Sequence, residues 1–190
     1  MSHAIDLEGL YEKLFLLQHI AHGSLSHCRS AKVVLEDPDF DPEFDPNFKT
    51  IWSLTKTLVS NYLIECAVKL RMIQEFCAKH FEADDLNMLE ERAMTDLLIG
   101  RIVQGTFRLT IREASNKIIH ATSATVDFAP SATEAPPVLY WHGLCNLRGH
   151  HGRAPWHLEL DVAQWARAVI RYLEFLADEE KLCYLGQDYA

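Results

Sequence analysis

The sequence lacks the long apolar run that a membrane-spanning helix requires. No run of about 18 or more consecutive apolar residues occurs in its 190 residues. The first residues, MSHAIDLEGLYEKLF, carry acidic side chains, whereas a secretory signal places basic residues before an apolar core. We therefore expect a cytoplasmic protein without a membrane partner.

Several enzyme motifs are missing as well. There is no glycine-rich phosphate loop, no Gly-x-Ser-x-Gly and no His-Glu-x-x-His, so nucleotide triphosphatases, serine hydrolases and zinc proteases are poorly supported. The five cysteines are odd in number and contain no Cys-x-x-Cys pair, which argues against a disulfide framework or a zinc finger. The net charge of −9 disfavours a broad nucleic-acid-binding surface, so any contact with RNA has to be local.

Most of the chain has the apolar spacing of helices. With 48% hydrophobic and 24% charged residues, its composition is that of one compact domain with a core. Apolar residues recur at steps of three and four, and the longest such run contains neither proline nor glycine. The predicted helices cover residues 5–22, 24–35, 49–81, 87–99 and about 106–121.

The period changes after residue 121. VLYWHGLC and WHLELDV predict two strands of a hairpin at about 138–161, joined by the turn-rich NLRGHHGRAP. A last amphipathic helix follows at about 163–181. We therefore predict a single, mainly α domain over 1–190. It is a helical bundle of about five helices, mostly within 5–121, with a β-hairpin inserted before the C-terminal helix.

Two segments near the end predict which side chains are buried. In the second strand the residues expected to face the core are Trp156, Leu158 and Leu160, because alternate residues share a face of a strand. In the last helix the expected buried stripe consists of Trp165, Val169, Tyr172, Leu173 and Leu176.

Residues 37–48 contain three copies of Asp-Pro-x-Phe, DPDFDPEFDPNF. Proline lacks an amide donor and disfavours helical angles in the residue before it, so this segment is predicted to be a loop. One interpretation is a partner-binding motif with spaced phenylalanine anchors. The other is an acidic, stiffened connection whose phenylalanine side chains cover the helices.

The stretch REASNKIIH places Arg112, Asn116 and His120 at steps of four along a predicted helix. Such steps bring side chains onto one face, about 6 Å apart. Arginine can hold a phosphate, histidine can exchange a proton near neutral pH, and asparagine can orient either the histidine or a substrate hydroxyl. This set suits cleavage of an RNA backbone. The alternative is the polar side of an ordinary amphipathic helix.

Ion pairs are expected at two i, i+4 positions. Glu113 and Lys117 are spaced as a pair beside the REASNKIIH face, and Glu65 and Lys69 are spaced as a pair in the long central helix. For Glu65 and Lys69 we expect a structural role.

The segment from Arg112 to Ala121, with NKIIHA in its second half, resembles the motif helix of the HEPN superfamily. These are all-helical bacterial and archaeal domains that include ribonuclease toxins and phage-defence proteins. The resemblance implies that Arg112 and His120 form the catalytic pair and that Asn116 is an accessory residue. It also implies a homodimer whose two motifs line one cleft and cut RNA without a metal or cofactor. Seven residues separate Arg112 from His120, a longer interval than the family's motif has.

The hairpin carries five side chains of types that bind transition metals: His142, Cys145, His150, His151 and His157. Their spacing is irregular, whereas a structural zinc site requires four ligands in a fixed tetrahedron. We therefore predict no metal, and imidazoles that face solvent.

Two hypotheses follow from the sequence. In the first, the chain is a HEPN-like, metal-independent RNA-cleaving toxin or defence component that uses Arg112, Asn116 and His120. In the second, it is a non-catalytic helical module that binds a protein partner through the Asp-Pro-x-Phe loop or the hairpin.

Overall fold

The computed structural model describes residues 5–35, 37 and 40–179. Five helices and four strands lie in this part of the chain. The helices are α1 (Leu7–Ser30), α2 (Pro46–His80), α3 (Ala83–Ala93), α4 (Ile111–His120) and α5 (Val162–Asp178). The strands are β1 (Gly100–Gln104), β2 (Ser123–Pro130), β3 (Leu139–His151) and β4 (Ala154–Asp161).

The four strands form one antiparallel sheet in the order β1-β4-β3-β2. The predicted mainly α bundle with an inserted hairpin is therefore wrong, since the fold is mixed α/β with a four-stranded sheet. β3 and β4 are the two arms of the hairpin expected at about 138–161, and β2 and β1 extend it on either side. Alternate residues of β3 are buried, because one face of the sheet packs against helices that include α1 and α5.

β1 and β2 were missed because they are edge strands with little burial. β1 has only five residues, and none of them is fully buried. In β2 only Val126 is fully buried, and Pro130 ends the strand. Strands of this kind do not show the alternation of apolar and polar residues from which a half-buried strand is recognised.

Aspartate residues cap the two longest helices. Asp6 Oδ1 accepts a hydrogen bond from the Gly9 amide at 2.9 Å, and Asp45 Oδ1 accepts one from the Phe48 amide at 2.6 Å. Pro46 occupies the first turn of α2, where its missing donor is harmless. α1 is one continuous helix through Gly23, although the sequence predicted two helices, over 5–22 and 24–35.

α3 differs most from its prediction. The expected helix over 87–99 begins four residues earlier, at Ala83, and ends at Ala93. Asn87, the first residue of the predicted helix, therefore lies inside α3. The residues after Ala93 form a turn that leads into β1.

The largest core cluster joins all five helices and the inner face of the sheet. The predicted inward face of β4 is confirmed: Trp156, Leu158 and Leu160 are buried. The predicted stripe of α5 is also confirmed, since all five of its residues are buried. Residues 180 and 181, the predicted end of that helix, lie outside the described residues.

The Asp-Pro-x-Phe segment packs against a second, smaller cluster. Phe48 is buried in the first turn of α2, and its ring meets the rings of Phe40 and Phe128 edge-on at 5.9 and 5.4 Å between centroids. Phe44 is 74% exposed. Two of the three phenylalanines thus cover the helices and the sheet edge, while the third faces solvent.

None of the described helices is both long enough and apolar enough to cross a membrane.

Candidate functional site

The helix that carries the predicted site, α4, is fixed by its cap and by its buried side. Thr110 Oγ1 accepts a hydrogen bond from the Glu113 amide at 3.1 Å. The side that packs into the protein includes Ile111, Ala114 and Ile118. The polar face therefore turns outward, with Arg112 and His120 exposed and Asn116 half-buried.

Arg112 lies at the start of α4, next to charged residues of α2 and α3. Its amide donates a hydrogen bond to Oε1 of the buried Glu90 at 2.6 Å. Burial, and then the neighbouring Arg112 guanidinium, lower the pKa of Arg71. His120 lies eight positions after Arg112, which is about 12 Å along a helix axis.

A cavity of about 540 Å³ lies between the last turns of α4 and the turn that joins β3 to β4. Polar side chains from both segments line it. Those from α4 are Glu113, Asn116, Lys117 and His120, and those from the hairpin are His150 and His151. We call this space the polar cavity.

The polar cavity brings together two of the three predicted site residues. Asn116 and His120 both line it, whereas Arg112 lies two turns earlier and is not part of its lining. Asn116 Nδ2 donates a hydrogen bond to Glu113 Oε2 at 3.3 Å. The sequence predicted that Asn116 orients His120 or a substrate; in the structure the amide is held by Glu113.

The hairpin reaches α4 because β2 follows α4 almost directly. The Thr122 amide donates to the Arg148 carbonyl at 2.8 Å, and Ser123 pairs with Arg148 in the sheet. At Gly149 a Cβ would collide with the Trp156 indole and would lie 3.1 Å from the His120 carbonyl oxygen. The absence of a side chain at Gly149 therefore allows the end of α4 to approach the hairpin closely.

Lys117 supplies the fixed positive charge of the polar cavity. Its Nζ lies 3.1 Å from Glu113 Oε1, so the predicted i, i+4 ion pair is confirmed. The same Nζ lies 4.4 Å from the ring centroid of Phe107 and 4.6 Å from that of Trp156. Two aromatic faces and a carboxylate thus hold the ammonium at the floor of the polar cavity.

The metal-ligand types of the hairpin separate in the structure. Among the described residues, no three His, Cys, Asp or Glu side chains come together as metal ligands. Cys145 is buried, which raises the pKa of its thiol to about 12. His157 Nε2 donates a hydrogen bond to Asn146 Oδ1 at 2.8 Å on the outer face of the sheet. His150 and His151 line the polar cavity instead.

The polar cavity combines groups that exchange protons with groups that bind anions. Imidazole side chains can act as general acids or general bases, and His120, His150 and His151 supply three of them. Lys117 can stabilise negative charge, and Asn116 offers amide donors. Such a set is suited to a phosphodiester, whose transfer requires a base, an acid and a cation around one phosphorus atom.

Four residues that line the polar cavity were not predicted as site residues: Lys117, Trp156, His150 and His151. The sequence suggested the two histidines only as metal ligands. They are exposed, as predicted, and they also line the polar cavity. The short connection between His120 and β2 carries a usable signal. Because β2 starts at Ser123 and pairs with β3, the end of α4 has to lie close to β3. That signal could not be used, since β2 was not recognised.

Comparisons with known proteins give no match. No protein-family model, no curated protein and no solved structure is similar to this chain. The candidate site therefore rests on the geometry of this chain alone.

Proposed function

We propose that the protein cleaves RNA without a metal, at the polar cavity. The observation that carries this proposal is that His120 lines the same space as His150 and His151, next to the fixed ammonium of Lys117. An acid, a base and a cation around one phosphate are the groups that such a reaction requires. The resemblance of the α4 segment to the HEPN motif helix supports the same reaction, and with it a role in bacterial defence or as a toxin.

The proposed reaction uses two imidazoles. One imidazole, neutral at the start, removes the proton from a ribose 2′-hydroxyl. The 2′-oxygen attacks the adjacent phosphorus, and the bond from phosphorus to the 5′-oxygen breaks. A second imidazole, protonated at the start, gives its proton to the departing 5′-oxygen. The products are a 2′,3′-cyclic phosphate and a 5′-hydroxyl, and Lys117 stabilises the charge on the phosphate.

The roles of the three predicted residues then differ. His120 is one member of the acid–base pair, and one of the two hairpin histidines is the other. Asn116 binds the substrate inside the polar cavity through its amide. Arg112 lies outside this cavity, so it contacts a flanking phosphate of the RNA.

Cleavage of a mixed RNA pool in the presence of a chelator tests the proposal. The wild type should cleave the RNA, and His120→Ala should lower the rate by about a thousandfold, within the range for loss of a general acid or base. Arg112→Ala should lower it by about tenfold or less, with an effect that shrinks at high salt. The matched control is His142→Ala, which removes an exposed histidine of β3 outside the polar cavity and should cleave at the wild-type rate.

Two results contradict the proposal. The first is equal cleavage by the wild type and His120→Ala. The second is the absence of any cleavage by the wild type. DNA of the same sequences should not be cut, because it lacks the 2′-hydroxyl that attacks the phosphorus.

A second candidate function is a non-catalytic protein-interaction module, and the exposure of Phe44 favours it. This ring is 74% exposed, with Lys49 Nζ 5.8 Å from its centroid. A bound partner would cover Phe44, because an isolated aromatic ring next to a cation is a common anchor. Phe44→Ser should then weaken a complex found by pull-down, whereas Leu98→Ser, at an exposed site far along the chain, should not.

A further inference from the structure

The side of α2 that points away from the core carries a line of exposed aliphatic side chains. They are 36 to 55% exposed. The line consists of Leu54, Leu58, Ile64, Val68 and Met72. We call it the α2 stripe. It runs for about 27 Å along the helix axis at 1.5 Å per residue. An apolar surface of this length on a protein surface marks an interaction site.

The α2 stripe is symmetric about Asn61, an exposed residue at its centre. Leu58 and Ile64 each lie three residues from Asn61, and Leu54 and Val68 each lie seven residues from it. When two copies of α2 cross antiparallel at Asn61, Leu58 of one copy therefore meets Ile64 of the other. Leu54 meets Val68 in the same way. A two-fold interface requires this kind of self-complementary surface.

The shape of the surface also suits a pairing of two copies. Between α1 and α2 lies an apolar groove of about 390 Å³, whose lining includes Leu16, Ile20, Leu54 and Leu58. The groove therefore borders the first half of the α2 stripe, whereas Ile64 in the second half is exposed and does not line the groove. In the antiparallel pair the second half of each copy meets the groove of the other. The contact is made twice.

The charges around the α2 stripe permit this pairing. None of its five side chains is charged. At its border Glu65 pairs with Lys13 at 3.2 Å and with Lys69 at 3.0 Å, so the predicted Glu65–Lys69 ion pair is confirmed. Asn61 lies at the centre of the α2 stripe, with the polar side chains of Thr57 and Glu65 one turn of helix away on either side. An asparagine in a helix seam sets the register of helix pairing through a hydrogen bond to its counterpart.

We propose that the protein forms a homodimer through an antiparallel pair of α2 helices that cross at Asn61. Steps of four and three between Leu54, Leu58 and Asn61 keep these residues on one seam, as in helices that pack at a shallow angle. Covering this seam buries roughly 600 Å² per chain, at the lower end of stable interfaces. The dissociation constant is then on the order of micromolar. This dimer uses α2, so it does not depend on the proposed activity of α4.

Sedimentation equilibrium of a pair of charge substitutions tests the register directly. The wild type should be a dimer at tens of micromolar, roughly tenfold or more above its dissociation constant. Leu58→Lys and Ile64→Glu should each weaken the dimer at least about tenfold, because each places charges in an apolar seam. In the variant that carries both changes, the new ammonium of each copy faces the new carboxylate of the other. That double variant should recover dimerisation to within about threefold of the wild type.

The matched control is Leu98→Lys, which changes a side chain that is 77% exposed and lies outside the α2 stripe. Its self-association should equal that of the wild type, and the circular dichroism of every variant should show the wild-type helix content. A wild type that stays monomeric at the highest concentration overturns the proposal. Single substitutions without effect overturn it as well. Failure of the double variant to recover rules out the antiparallel register at Asn61.

Discussion

The polar cavity and the α2 stripe differ in how far apart their residues lie in the chain. The polar cavity joins Asn116 and His120 to His150 and His151, which follow about 30 residues later. Every residue of the α2 stripe belongs to one helix. The first surface is concave and polar, and the second is apolar and exposed along a rod. The proposed chemistry therefore depends on the register of the sheet, whereas the proposed dimer depends on helical periodicity alone.

The largest effect is expected from a methyl group at the place where the hairpin approaches the end of α4. Gly149→Ala places a Cβ against the Trp156 indole, which is buried and cannot move without disturbing the core. We expect a loss of roughly 2–3 kcal/mol in the free energy of unfolding, as for an overpacked core. The indole would also leave its place under Lys117. Urea unfolding measures this change.

Gly23→Ala is the matched substitution beside the α2 stripe. Gly23 lies inside α1, borders the apolar groove, and has nothing within 4 Å of an added Cβ. It should raise the free energy of unfolding by up to about 1 kcal/mol, because alanine favours a helix interior over glycine. Equal stabilities for Gly149→Ala and Gly23→Ala would contradict the close approach of α4 to the hairpin.

The second prediction compares how much a lysine–glutamate ion pair contributes to stability in the two regions. Lys117→Met removes the charge but keeps the apolar stem, and it leaves the Glu113 carboxylate without its ammonium. We expect a loss of about 1.5 kcal/mol, since the pair is mostly buried and two aromatic rings contact the ammonium. Lys69→Met, next to the α2 stripe, should lose about 0.5 kcal/mol or less, because its partners are more exposed.

Thermal or urea unfolding of both lysine variants decides this comparison. The protein concentration should be below the dissociation constant of the proposed dimer. A larger loss for Lys69→Met than for Lys117→Met would show that the Lys117 site is as solvated as the helix surface. The fixed charge of the polar cavity would then be an ordinary surface lysine.

The smallest effect is a dependence of stability on pH near His157, on the outer face of the sheet. Burial, and then the Arg148 guanidinium, lower the pKa of His157 below its ordinary 6.5, while Glu159 opposes and Arg101 adds to the shift. The unfolded chain therefore binds a proton at this position more readily than the folded chain. The stability that the neutral His157 contributes is complete above about pH 6.5 and decreases as the pH falls below it.

His157→Gln should remove this dependence and keep a donor for Asn146 Oδ1. We expect the wild type to lose more stability than the variant when urea unfolding at pH 7.5 is compared with unfolding at pH 5.5. Parallel losses in the two proteins would show that the imidazole is equally easy to protonate in the folded and unfolded chains.

Local periodicity predicted the parts of the fold whose side chains face one core. The inward residues of β4, the buried stripe of α5 and the Glu113–Lys117 pair are all as predicted, since each depends only on spacing within one element. β1 and β2 could not be predicted in this way. They are edge strands that draw their stability from hydrogen bonds to β4 and β3, and those bonds leave no trace in their own side-chain pattern.

Only the part of the candidate site that lies on α4 could be predicted from the sequence. Helical spacing placed Asn116 and His120 on one outward face of α4. The same spacing placed Arg112 there too, but two turns of helix take it out of reach of the polar cavity. The hairpin histidines join the site through the pairing of Ser123 with Arg148, which is a property of the sheet and not of any local sequence.

The central claim is that α4 and the hairpin form one catalytic site, and a double-mutant cycle of RNA cleavage tests it most directly. Rates would be measured in chelator for the wild type, His120→Ala, the paired change His150→Ala with His151→Ala, and all three changes together. Because an acid and a base act as a unit, the combined variant should be no slower than the slower of the other two. Losses that multiply in the combined variant, or hairpin changes without effect, would contradict a shared site.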